Sequence, residues 1–123
     1  MTEAVFAYIN NQLTDAGINY EFGEFKGTKS FPYFVGEYNS SPPSEEDCSD
    51  ETTFILNGFH DGKYIDLERA RATIEKLFTF NTGILQNGSG VAVSYAGCLV
   101  IPTGDARLKR IQINLSIKEW RVK

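Results

Sequence analysis

The segment RIQINLSIKEW, residues 110–120, decides the fold, because its apolar and polar side chains alternate with period two. Ile111, Ile113, Leu115 and Ile117 fall on one face; Gln112, Asn114, Ser116 and Lys118 fall on the other. Successive side chains of a strand point to opposite sides, so this is a β-strand with one dry and one wet face. A sheet built of such strands is covered on one side only, and helices are the usual cover. The alternation breaks at the end, where Trp120 and Val122 fall on the polar side. Either a bulge shifts the register there, or Trp120 is exposed to a partner.

Two segments can supply the helices. Over residues 2–16, Thr2 can cap, Glu3 suits the positive first turn, and Val5, Ile9, Leu13 and Ala16 form an apolar stripe that Phe6 widens. Gly17 provides the stop. The second helix is the clearer one. Asp66 is its expected N-cap, and Leu67, Ala70, Ile74, Leu77 and Phe78 recur at helical spacing. Arg71 and Glu75 can pair on its outer face, and Asn81 to Gly83 is expected to end it.

The remaining strands are read from aromatic and β-branched runs. INYEFGEF, residues 18–25, opens a short extended segment. In SFPYFVGEY, residues 30–38, Pro32 cannot donate to a ladder and so marks a strand start or an edge. Phe31, Tyr33 and Val35 then lie on one face, with Pro32 and Phe34 on the other. ETTFILNGF, residues 51–59, sets Thr53, Ile55 and Asn57 against Phe54 and Leu56. The turn signal NGSG, residues 87–90, precedes a strand with Val91, Val93 and Tyr95 on one side. The expectation is a single α+β domain over residues 1–123. Its antiparallel or mixed sheet has four strands or slightly more, with two helices packed on one face.

The chain has 123 residues, 41% hydrophobic and 23% charged, which suits one globular domain with a real core. CLVIP, residues 98–102, is the longest apolar stretch and is far too short to cross a bilayer. The start, MTEAVFAYINNQL, has no basic n-region and no long apolar run, so no signal peptide is expected. The net charge of −4 hides an asymmetry: residues 1–60 carry ten acidic and two basic side chains, residues 61–123 six and ten. Opposed fields of this kind would help copies pack side by side, unless the two halves interleave in the fold and average out.

No constellation for chemistry emerges. Two cysteines, Cys48 and Cys98, cannot supply a four-ligand zinc site, and the single His60 is expected in a turn without a nucleophile partner. EEDCSDE, residues 45–51, is dense in carboxylates but lacks the glycine and spacing of a calcium loop. It reads as a solvated face, with a contact for basic partner residues and an ion site as alternatives. NGSG is followed by a strand and no Lys-Ser/Thr, which argues against a phosphate cradle. Arg107, Lys109 and Arg110 form a short basic cluster. Solvated charges, an acidic surface of another subunit and nucleic acid are its three possible partners, and the acidic total disfavours a large duplex footprint. No cofactor is expected.

FPYFVGEY after a helix–strand start, the long acidic loop, TTFILNGFHD, the helix DLERARATIEKLF and the ending LKRIQINLSIKEW occur in this order. Together they resemble the small tail-completion or tail-terminator proteins of long-tailed bacteriophages and prophages. The resemblance spans about Val5 to Trp120 and rests on the order of segments, since the family has no catalytic signature. It implies a non-enzymatic virion protein at the head–tail junction that forms a ring, typically hexameric, on the head-proximal end of the tail tube. The ring would end tube polymerisation and join the tail to the neck or head-completion protein. DNA would pass its lumen without specific binding. By analogy, the acidic loop with Glu45, Glu46, Asp47 and Asp50, and the basic Arg107, Lys109 and Arg110, are candidate inter-subunit or tube contacts. Phe34 and Trp120 are candidates for contact with a neighbour.

Other readings make separable demands. A head-side neck adaptor would be more helical than this sheet-rich chain. A small ligand-binding or regulatory domain would close a pocket around Phe31, Tyr33, Phe54 and Trp120. An enzyme would bring ionisable groups such as His60, Asp61 and Glu37 into one cleft.

Overall fold

The computed structural model describes residues 3–23, 32–40, 49–79, 81–85, 88–105 and 107–120. In chain order the elements are α1 (Glu3–Asp15), β1 (Tyr20–Phe22), β2 (Tyr33–Ser40), β3 (Ser49–His60), α2 (Tyr64–Phe78), β4 (Asn81–Ile84), β5 (Gly90–Ile101) and β6 (Lys109–Trp120). They form an α+β fold around one mixed six-stranded sheet of order β1-β2-β3-β6-β5-β4, in which only β1 and β2 run parallel.

β6 sits in the centre, and its alternation explains why. Ile111, Ile113, Leu115 and Ile117 are all buried, facing Phe54 and Leu56 of β3 and Val91 and Val93 of β5 within one core. Burying each such side chain contributes about 1.5–3 kcal/mol. A one-residue slip would turn the whole row outward, so the register is fixed. Both helices cover this same face: Val5, Ile9 and Leu13 of α1 join Leu67, Ile74 and Phe78 of α2 in the core.

Two short strands extend the sheet beyond four. β1 adds to β2 through Tyr20–Phe34, Glu21–Val35 and Phe22–Gly36. β4 occupies Asn81–Ile84, where a helix stop was expected, and forms a hairpin with β5. The NGSG signal is spent on that hairpin: Leu85 N–H bonds to Ser89 O at 2.8 Å, and Gly88 takes φ +87°, a left-handed conformation that glycine enters without penalty. Strands β2 and β3 are also longer than expected, running to Ser40 and from Ser49; residues 41–48 lie outside the described residues.

The sheet curls about α1. Six flat strands would hold β1 and β4 about 24 Å apart. Yet Phe6 meets Phe22 of β1 edge-on at 4.7 Å between ring centroids, and Tyr8, two residues along the helix, donates a hydrogen bond to Asn81 Oδ1 of β4. A helix with its side chains is only about 10–12 Å wide, so both edges must bend toward it.

Three local expectations are corrected. β6 has no bulge: its pairing with β3 is unbroken from His60–Lys109 to Ser49–Trp120. Alternation simply continues, so Glu119 is buried on the helix side and Trp120 faces outward. The bulge lies instead in β5, between Tyr95 and Gly97. Asp66 is not the N-cap of α2; Lys63, in extended conformation, is. The carboxylate of Asp66 is held by His60, which closes β3 rather than sitting in a turn.

The charges follow the strand order. The halves do not interleave in the sheet: β1, β2 and β3 make one side, and β6, β5 and β4 the other. The first three strands carry Glu21, Glu37, Asp50 and Glu51 and no Lys or Arg, while β4 and β5 are uncharged and β6 carries Lys109, Arg110, Lys118 and Glu119.

Candidate interaction surface

With both helices on one side, the other face of the sheet presents the odd residues of β2 and β3 and the even residues of β6. One end of this face is aromatic and basic. Tyr33 stacks on Phe59 with ring centroids 5.1 Å apart and planes 22° from parallel. The Arg110 guanidinium lies 5.6 Å from the Phe59 centroid, an attractive cation–π placement. Arg110 Nη2 donates to Asn57 Oδ1 at 2.9 Å, and Asn57 Nδ2 donates more weakly to Glu37 Oε1 at 3.4 Å. A polar strip thus crosses β6, β3 and β2. Further along, Gln112 Nε2 donates to Asn114 Oδ1 at 3.2 Å, and Lys118 pairs with Glu51 at 3.4 Å.

The opposite end of the face is apolar. Trp120 is 39% exposed and lies beside Gly90, where a Cβ would come within 3.8 Å of the indole. Ile84, paired with Gly90 from the other side, is 80% exposed. Trp120 therefore stands where a neighbour could cover it.

The sequence candidates are distributed unevenly over this geometry. Phe34 is not an interface residue: it is 1% exposed, on the helix side. The physical reason is Gly58, directly across on β3; a Cβ there would sit 2.4 Å from the Phe34 ring, so the missing side chain makes room for it. The basic cluster is also divided. Lys109 and Arg110 are consecutive strand residues and point to opposite faces, Lys109 lying 5.8 Å from the centroid of the Tyr64 ring. Arg107 is exposed in the β5–β6 turn, its backbone N–H bonded to Asp105 Oδ1 at 2.9 Å. Glu45, Glu46 and Asp47 lie outside the described residues, as does Phe31; Asp50 pairs through its backbone with Glu119.

The pocket posited around Phe31, Tyr33, Phe54 and Trp120 does not form among the described residues. Tyr33 and Phe54 occupy opposite faces, and Tyr33 and Trp120 opposite ends of the sheet. The acid–base cleft fares likewise. His60 Nε2 donates to Asp66 Oδ2 at 3.0 Å and lies near Asp61, but Glu37 pairs with Ile55, about 17 Å along the strand from His60. The His60–Asp66 bond fastens the start of α2 to the end of β3. Among the described residues, no group of three or more His, Cys, Asp or Glu could hold a metal ion, and no helix is long and apolar enough to cross a membrane.

One feature escaped the sequence reading. Between the start of α2 and β5 lies a mostly apolar groove of about 320 Å³, lined by Tyr64, Ile65, Leu67, Cys98, Val100 and Ile111 together with Glu68. Burial there pushes the Cys98 thiol above its usual pKa, which disfavours the reactive thiolate. A run of apolar residues over 98–101 was the only sequence signal, and it reads equally well as core. No family model matches this chain, and no curated protein does either.

Proposed function

We propose that this chain is a structural, non-catalytic protein of a long-tailed phage or prophage that closes the head-proximal end of the tail tube. Copies associate side by side in a ring, typically hexameric. One surface of the ring ends tube polymerisation and the other receives the neck, with DNA crossing the lumen at the head–tail junction. The observation that carries this reading is the division of charge across the sheet, with no Lys or Arg on β1–β3 and an excess of base over Glu119 on β6. Such a division favours head-to-tail contacts between identical copies, and heterologous contacts of that kind form rings where the rotation between copies closes. The exposed Trp120 and Ile84 at one end of the uncovered face are available for a second partner such as the tube. The order of sequence segments supports the same reading.

The test is direct. The purified protein is weighed in solution, then mixed with tail-tube subunits of the same virus and imaged. Rings seated on tube ends, and tubes of defined length, are expected. Tubes of unchanged length with bare ends would defeat the proposal.

A further inference from the structure

β5 has an open edge. β4 pairs only with Gly90–Val93, so the outer side of Ser94–Ile101 has no strand beside it among the described residues. An unpaired edge presents a row of N–H and C=O groups that fit an extended polypeptide and little else. Proteins usually guard such edges with Lys, Pro or a bulge. Here β4 and β5 carry no charge, proline comes only at Pro102, and the Tyr95–Gly97 bulge leaves Gly97–Ile101 as a straight run of about 17 Å. That run is apolar on both faces, with Leu99 and Val100 57% and 63% exposed, and Val100 borders the α2–β5 groove.

A second open edge exists on the far side of the sheet. β1 pairs only with Phe34–Gly36, which leaves the outer side of Glu37–Ser40 in β2 without a strand among the described residues. Tyr38 stands on this segment, 41% exposed and on the helix side, since it pairs with buried Phe54. When one sheet continues into another, side chains keep their faces. A copy that laid Glu37–Ser40 antiparallel along Gly97–Ile101, with its helices on the same side of the joined sheet, would therefore bring Tyr38 to the helix side, where the groove is. The acidic strands of that copy would then adjoin the half of the sheet whose net charge is positive, so the charges are complementary in this order.

We propose that the open β5 edge is the seat of a second copy of this chain, whose β2 segment Glu37–Ser40 continues the sheet and whose Tyr38 enters the α2–β5 groove. This deepens the ring reading above and rests on it. The contact is heterologous: each copy gives Tyr38 on one side and receives a neighbour's on the other.

Two variants test it, Val100→Lys and Tyr38→Lys, both at exposed positions outside the buried core, Tyr38 meeting the ring of its own Phe22 at 5.9 Å between centroids. Each alone is expected to weaken self-association by about tenfold or more, because a lysine would be buried at the joint. An equimolar mixture retains one good joint per pair, so sedimentation should show 1:1 dimers and nothing larger. In the wild-type assembly, amides of residues 97–101 should exchange with solvent more slowly than in the monomer, a readout independent of the variants. Either folded variant assembling like wild type would overturn the proposal. So would Tyr38→Lys dimerising with itself, unprotected edge amides in the assembly, or a wild-type chain that stays monomeric at every concentration. Copies joined through this edge that ignore tube ends would defeat the tube-capping function and leave the joint standing; tube-capping rings with a freely exchanging edge would do the reverse.

Discussion

Phe34 and Trp120 are both large aromatics near strand ends, and the fold assigns them opposite tasks. Phe34 fills the space that Gly58 leaves open, and Gly36 likewise yields to the rings of Phe54 and Tyr20, where a Cβ would approach within 2.8 Å. Burial also pushes the Tyr20 hydroxyl well above its usual pKa. Truncating Phe34 to alanine is therefore expected to cost about 3–5 kcal/mol, read as a lowered urea midpoint in a monomeric sample. Trp120→Ala should change stability by less than about 1 kcal/mol and, under the proposed function, instead weaken binding to tube ends. An equal loss of stability in both variants would contradict the division.

At the scale of elements, α2 is tied to β5 by one side chain. Arg71 Nε donates to Glu68 at 2.9 Å, while Nη1 donates to Glu75 at 3.0 Å and to the Tyr95 hydroxyl at 3.1 Å. The helix pairs were legible at spacings of three and four; the link to Tyr95 spans 24 residues and belongs to the tertiary fold. Removing the side chain in Arg71→Ala is expected to cost roughly 1–2 kcal/mol. The hydrogen bond from Arg71 holds the Glu68 carboxyl below its ordinary 4.5. A lowered carboxyl pKa stabilises the fold fully above the unfolded value and loses its effect as pH falls through the folded one. The stability gap between wild type and Glu68→Gln should accordingly be constant above pH 4.5 and close below it, measured by denaturation at stepped pH. A gap that persists at the acid limit would mean that the carboxylate contributes nothing through charge.

The whole molecule is electrically lopsided because its topology keeps the two halves of the chain apart. β3 lies beside β6 at the sheet centre, so basic β6 borders the acidic strands there, while β5 and β4 on the far side carry no charge. Charges at a rim steer encounter, whereas backbone pairing and buried side chains set how long copies stay together. Raising salt from about 0.1 M to about 1 M shortens the screening length from about 10 Å to about 3 Å. The association rate, followed by stopped-flow light scattering, is expected to fall severalfold, with a much smaller change in dissociation. A salt-independent association rate would show that the charge division has no part in assembly.

What the sequence determined by itself were the features with a local period. The alternation of residues 111–117 and the apolar spacing of α1 and α2 dictate one covered sheet face, since period two and period 3.6 arise from backbone geometry alone. It also carried the asymmetry of charge. Tertiary structure decided everything that depends on which strand lies beside which. Strand order set β1–β3 on one side of the sheet and β4–β6 on the other, pairing register put Phe34 over Gly58, and strand parity split Lys109 from Arg110. The strip joining Arg110, Asn57 and Glu37 exists only because three distant segments were laid side by side. The open edge of β5 is of the same kind, for an edge is defined by the absence of a neighbour, and no stretch of sequence records what fails to lie next to it.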